Sequence, residues 1–316
     1  MTPTARPHEN GTWRLLPPVA HDAATLLSRL QALLESVGAG LAPATVCCER
    51  WASPALILGT GQSAADADLP ACRARGITIV RRLAGGTAVF ATPDYLSFAI
   101  VASVAHPLVG GDLLATYRRF GEAVVAACAA LGLSTHLICP DAARARPTPA
   151  TLRPFCYGGF SPYEVLVGDR KLIGVAQVRR FGAVAYVGGL YRTLIPAEQS
   201  ACLAGATALR AERAAQLAAC TTDLTTLGRP QVLGQFPLAL VAALAEQCAI
   251  TLSPGALTGT ECARVAQLRA ARYDRDEWTS RQCVGPVGDH RRPLRQTLPS
   301  PDQRSSRDSL AAPGPE

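Results

Sequence analysis

The sequence predicts an α/β fold: a mixed β-sheet with flanking helices, followed by a small helical C-terminal part. Two patterns carry that prediction. Up to residue 190, short apolar runs bounded by glycine or proline alternate with stretches whose leucines and alanines recur at helical spacing. From Pro196 to about residue 273 the helical pattern stands alone, interrupted only by proline or glycine.

Each element follows from its residues. Residues 21–37 read as an amphipathic helix, because leucines at 26, 27, 30, 33 and 34 fall on one side. Leu56-Ile57-Leu58 is a short apolar strand ending at the turn Gly59-Thr60-Gly61-Gln62. Residues 77–82 form a second strand, which enters a Gly85-Gly86 turn, and residues 87–90 a third. A strand over 97–104 and a helix over 113–131 come next, then a proline-rich loop over 140–154. Residues 163–167 and 171–178 read as a hairpin turning at Gly168-Asp169, with 184–190 as the following strand. Helices are expected over 197–217, 233–249 and 259–273.

Length and composition bound the class. A chain of 316 residues that is 48% hydrophobic can bury one large or two modest domains. The expected division is a main domain over 13–230, a helical extension over 231–281 packed on it, and a disordered tail over 282–316, where proline, serine, arginine and glycine replace core formers. The longest mainly apolar run, Phe98 to Ala105, is far short of the roughly 18 residues that span a bilayer. Residues 1–13 hold no apolar signal-peptide segment, so a cytoplasmic protein without membrane attachment is expected. The net charge of +7 is spread thinly: no basic run exceeds two residues and no aromatics interleave with basic positions. Nucleic acid is therefore not an expected partner, whereas a diffuse positive surface suits an acidic protein.

Of 31 lysine and arginine residues, Lys171 is the sole lysine. Arginine solubilises and pairs with carboxylates as lysine does, but it cannot lose its proton at neutral pH or serve as a compact point charge. A lysine kept alone draws attention to its position. It also excludes functions. Lys171 precedes Leu172 rather than a hydroxyl residue, so no P-loop is present, and no His-Arg-Asp tripeptide supports a protein kinase. The eleven cysteines are scattered, without Cys-x-x-Cys pairs or cysteine–histidine clusters at zinc spacing, so no metal site is expected and reduced thiols are.

Two segments hold the candidate chemistry. In Arg81-Arg82-Leu83-Ala84-Gly85-Gly86-Thr87-Ala88-Val89-Phe90, a strand delivers arginine to a turn where glycines let backbone N–H groups approach a carboxylate or phosphate. In the second, Cys156-Tyr157-Gly158-Gly159-Phe160-Ser161-Pro162-Tyr163-Glu164 runs on to Asp169-Arg170-Lys171-Leu172-Ile173-Gly174-Val175-Ala176-Gln177. Cys156 lies in a glycine-flanked loop fifteen residues before the lone lysine. A thiol attacks as thiolate, a form that a nearby ammonium favours. No histidine lies in either segment, so Lys171 is the best candidate to activate Cys156. Ser161, Tyr163 and Glu164 are expected to shape the loop and hairpin, and Trp278 to pack the C-terminal helices on the sheet.

These residues resemble the lipoate-protein ligase and octanoyltransferase family, whose catalytic fold is shared with biotin ligases, over about residues 13–281. Family members carry an Arg-Arg-x-x-Gly-Gly turn, a Gly-Arg-Lys-x-x-Gly-x-Ala-Gln segment and a terminal Tyr-x-x-x-Glu-Trp pattern, matched here by residues 81–86, by 169–177 with Asp169 in place of the first glycine, and by Tyr273 with Asp276-Glu277-Trp278. The Cys156 to Glu164 stretch is similar to the cysteine-dependent octanoyltransferase branch. The resemblance implies that Cys156 carries an acyl thioester and Lys171 lowers its pKa, while Arg82, Gly85, Gly86, Thr87, Ala88, Val89, Phe90 and Gly174 bind the acyl substrate. It also implies an acyl carrier protein or a lipoyl-carrier domain, such as an H protein or a dehydrogenase E2, as donor and acceptor. This transferase reading needs no cofactor beyond the octanoyl or lipoyl group itself. A ligase reading uses ATP and magnesium and an acyl-adenylate held by Lys171, with Cys156 dispensable. A third reading, a non-catalytic carrier-binding member, draws on Ala91 and Val187, which stand where the family has histidines; Thr87 also stands where many ligases have a third glycine.

Overall fold

In the computed structural model, residues 11–281 are described, and the expected tail over 282–316 lies outside them. Strands β1 (Trp13–Leu15) and β2 (Val19–His21) lead into helix α1 (Ala23–Gly38), which starts where the Asp22 carboxylate accepts from the Thr25 N–H at 2.9 Å. Then come β3 (Thr45–Trp51), β4 (Ala55–Leu58), α2 (Leu69–Ala74), β5 (Thr78–Arg81), β6 (Val89–Ala91), β7 (Tyr95–Ser103), α3 (Leu113–Ala130), β8 (His136–Leu137) and α4 (Pro140–Arg144). The hairpin β9 (Val165–Val167) and β10 (Arg170–Arg180) precedes β11 (Ala183–Tyr191), α5 (Pro196–Ala201), α6 (Thr207–Cys220) and α7 (Val232–Gln247). The described chain closes with β12 (Leu252–Pro254), α8 (Gly259–Leu268), a π-helical turn Arg269–Tyr273 and α9 (Asp276–Thr279).

Two sheets result. The larger runs β12-β1-β3-β7-β11-β10-β9-β8, with β2 continuing along β3 beyond β1. It is mixed: β1 pairs parallel with β3 and β12, and the pairings from β3 through β7, β11, β10 and β9 to β8 are antiparallel. The smaller sheet is β5-β4-β6. Both faces of the large sheet are covered. Val46 and Cys48 of β3 join Phe98, Ile100 and Tyr186 in a core with Phe120, Val124 and Phe236 of α3 and α7. Cys47, between them, joins Ala99, Val101 and Ala185 against Leu33, Leu34 and Val37 of α1.

Several expectations change in detail. The proline-rich 140–154 segment contains α4 and a 3₁₀ turn Ala150–Leu152, because Pro140 sits at the first turn of a helix, where its missing N–H costs nothing. The helix expected over 197–217 is two, α5 and α6, separated around Gly205, whose φ is +149°. The segment 231–281 supplies a strand as well as helices: β12 extends the large sheet beside β1, and α8 packs against α1.

Candidate active site

The two candidate segments meet through the backbone. Beyond the Gly-Gly turn the chain runs beside the cysteine loop, with the Ala88 N–H donating to Pro154 O and the Cys156 N–H donating to Ala88 O, each at 2.9 Å. Cys156 opens a 3₁₀ turn, Cys156–Gly158, and is half-buried. The glycines after it are required by packing: a Cβ on Gly158 would lie 2.6 Å from Leu152 O, and one on Gly159 would lie 2.2 Å from Thr148 Oγ1.

Lys171 is fully buried on β10, next to a register shift between Lys171 and Ile173 that bends the strand. Its ammonium donates to Cys156 O at 2.9 Å and to Gly159 O, and pairs with Glu164 Oε2 at 2.7 Å. Its three protons thus have three oxygen acceptors that span the cysteine loop. Glu164 is equally buried and also accepts the Ser161 N–H at 2.8 Å. Burial pushes the Glu164 carboxyl above its usual value, an effect the Lys171 charge opposes. The Cys220 thiol, 3.7 Å from Tyr157 O, is likewise pushed up by burial and drawn back by Lys171.

Cys156 lines an apolar cleft between the large sheet and α1, with a cavity of about 100 Å³. Leu26, Leu27 and Leu30 of α1, Val89 and Val187 contribute apolar walls. Arg82 and Gly174 also line it. The Arg82 Nη2 donates to Gly85 O at 2.9 Å and Thr87 O at 3.0 Å, while its Nε is buried without a hydrogen-bond partner. Gly174 gives room to the Tyr157 ring, 3.3 Å from where a Cβ would stand, and the Tyr157 hydroxyl donates to Gly189 O.

The structure therefore brings together Cys156, Lys171, Arg82, Val89 and Gly174. Gly85, Gly86 and Thr87 form the turn that anchors the Arg82 head, with Gly86 at φ +82°, and Ala88 bridges to the cysteine loop. Phe90 is not a cleft residue: it packs in the core around the small sheet, and its carbonyl accepts the Tyr191 hydroxyl at 2.7 Å. Arg81 faces away from the cleft as well, donating to Gly59 O at 2.7 Å and to Thr279 O at 2.7 Å. Trp278 docks the C-terminal helices as expected, its Nε1 donating to Arg81 O at 2.9 Å. Glu164 shapes the loop as expected, and its role as the counter-charge of Lys171 went unforeseen. Tyr157, with no spacing signal of its own, was also missed as a cleft residue. Among the described residues, no group of three or more His, Cys, Asp or Glu side chains converges on a point, and no helix is long and apolar enough to cross a membrane.

The chain is similar to known proteins in both sequence and fold. The sequence is similar to octanoyltransferase LipM of Moorella thermoacetica, 32% identical over 276 residues that span 86% of this chain and 98% of that enzyme. It is also similar to octanoyltransferase LipM of Symbiobacterium thermophilum, 31% identical over 85% of this chain and 98% of that enzyme. The fold is similar to a bipartite lipoate protein ligase from Thermoplasma acidophilum, with a TM-score of 0.71 at 22% identity, covering 89% of this chain and all of that one. A lipoate-protein ligase A bound with ATP aligns with a TM-score of 0.66 at 22% identity, over 85% of this chain and 99% of that one. The family model described as lipoyl protein ligase A/B catalytic domain matches residues 22–236, the stretch that holds every residue of the cleft, and the chain belongs to that family.

Proposed function

We propose that this protein is an acyltransferase that moves an octanoyl or lipoyl group from a carrier thioester, through Cys156, to a lysine of a lipoyl-carrier domain. The observation that carries this reading is a half-buried thiol opening on an apolar cleft, with an orphaned arginine N–H in the cleft wall. In the first step the Cys156 thiolate attacks the donor thioester carbonyl. A new S–C bond forms, the carrier S–C bond breaks, and the carrier thiol leaves with the proton that Cys156 gave up. In the second, the acceptor amine attacks the Cys156 thioester; a C–N bond forms, the S–C bond breaks, and an amine proton restores the thiol. The Cys156 thioester conserves the free energy of the donor thioester, and its release on amide formation drives the second step, so this route calls for neither ATP nor magnesium.

Each residue has a task in that sequence. The Arg82 Nε supplies a preorganised donor for the oxygen that gains charge at the carbonyl. Lys171 holds the carbonyls of Cys156 and Gly159, fixing the loop that carries the thiol. With its three protons taken by protein oxygens, Lys171 has none to spare for an acyl-adenylate, which favours the transferase over the ligase. Relatives that are octanoyltransferases support the acyl group, and a net charge of +7 suits an acidic carrier domain. The division into a catalytic domain over 13–230 and an extension over 231–281 belongs to the same proposal.

The test is intact-protein mass after mixing with octanoyl-acyl carrier protein without ATP. The reading requires a gain of one octanoyl group, removed by hydroxylamine and absent in Cys156→Ser. No adduct, together with ATP-dependent transfer of free lipoate by wild type and Cys156→Ser alike, establishes the ligase instead. Carrier binding with neither activity leaves the non-catalytic member.

A further inference from the structure

The cleft that starts at Cys156 ends on a pair of charges. Gly174 of β10 is in register with Gly189 of β11, Gly189 with Ser97 of β7, and Ser97 with Glu49 of β3. Residues in register across antiparallel strands share a face, so these four form one row on the side covered by α1. At about 4.8 Å between strands, the row runs roughly 14 Å from Gly174 to Glu49. Tyr157, next to the nucleophile, lies on Gly174, and Glu49 and Trp51 line the same cleft at the opposite end of the row.

Between those ends the parallel row two residues along offers the apolar side chains of Ala176, Val187 and Ala99, all lining the cleft. At Glu49 this changes. Its Oε1 accepts from Arg29 Nε of α1 at 2.8 Å, with each side chain 10% exposed. The wall around it is tied to backbone: Trp51 Nε1 donates to Ser97 Oγ at 3.2 Å, and Ser97 Oγ donates to Glu49 O at 3.3 Å. A methyl group advancing past Ser97 would have to part a buried ion pair, which leaves both charges without compensation.

We propose that the Glu49–Arg29 pair is the stop that sets acyl length in this enzyme. The proposal rests on the acyl-thioester reading. An octanoyl chain fills the apolar row, and a longer chain meets the charges. Glu49 closes the row with its bulk and Arg29 holds it there; glutamine keeps both the bulk and an oxygen that accepts from Arg29 Nε, so it should keep the stop.

The experiment is competitive loading of Cys156 from equimolar octanoyl- and decanoyl-acyl carrier protein, read by intact mass. Wild type is expected to load octanoyl preferentially. Glu49→Ala should raise the decanoyl-to-octanoyl ratio by about tenfold, the effect of burying two further methylenes. Glu49→Gln should leave the ratio within about twofold of wild type. Because Glu49→Ala strands Arg29, Arg29→Met/Glu49→Ala provides a variant with no orphaned charge, and the same widening is expected of it. A folded double variant with the wild-type ratio, or a wild type that takes both chains equally, overturns the stop while leaving the transferase intact. A wild type that takes neither chain overturns the transferase reading, and the stop with it.

Discussion

Replacing Glu164 by glutamine preserves its shape and its acceptance of the Ser161 N–H, but leaves the fully buried Lys171 ammonium without a counter-charge. Breaking a buried pair from one side costs about 3–5 kcal/mol. Two main-chain carbonyls and the new amide oxygen still accept from the ammonium, so the lower end, about 3 kcal/mol, is expected. In a domain of this size each kcal/mol lowers Tm by about 2–4 °C, giving a drop of about 6–12 °C. Glu164→Gln/Lys171→Met removes the stranded charge and should recover most of that loss, while still failing to load an acyl group. Thermal unfolding by circular dichroism at neutral pH, on wild type, both single variants and the double, closes the cycle. A Glu164→Gln protein within about 2 °C of wild type would refute the claim that this pair holds the loop.

Gly158→Ala should cost on the order of 1–3 kcal/mol and abolish thioester formation, because its Cβ would meet the Leu152 carbonyl at 2.6 Å and push the cysteine loop away; urea unfolding and the mass assay check both. Glu261 predicts a loss of stability in acid. Burial alone would raise its pKa, but hydrogen bonds from Arg14, Ser36 and the Thr258 N–H outweigh it and hold the carboxyl at about 2. Its contribution, on the order of 2–3 kcal/mol, is present above the unfolded value and lost as pH falls from about 4.5 towards 2, so acid unfolding of Glu261→Gln should be flatter over that window. Trp278→Phe removes the hydrogen bond to Arg81 O and should cost about 1 kcal/mol in urea midpoint analysis with an unchanged m-value.

What the sequence made legible was local. Leucines at helical spacing placed α1 to within two residues at its start, and the apolar runs found β4, β5, β6, β7, β10 and β11. Strand β3 escaped because it is buried on both faces, which erases alternation, and because Glu49 and Arg50 made it look like surface. The partner that lets Glu49 stay buried, Arg29, is twenty residues away on α1, beyond the reach of any periodicity. The same limit applies to the site. Lys171 stood out as the lone lysine and Cys156 by its glycine-flanked loop, yet only the structure shows that the ammonium, beside the bend between Lys171 and Ile173, faces Glu164 and the loop carbonyls. The two arginines before the glycine turn are indistinguishable in sequence. Strand pleating divides them, sending Arg81 to the Gly59 and Thr279 carbonyls and Arg82 to the cleft.

The enclosure around Nζ of Lys171 is built for a tetrahedral head. Its acceptors come from three separate directions, and the rings of Tyr157 and Phe160 close the remaining space at 5.7 and 5.5 Å. A guanidinium is larger and fans its protons in one plane, so it cannot serve those three oxygens from the same spot. A chain whose coding bias writes arginine at every other basic position meets a geometric barrier here. Conserving the positive charge with Lys171→Arg would force the cysteine loop open rather than hold it shut.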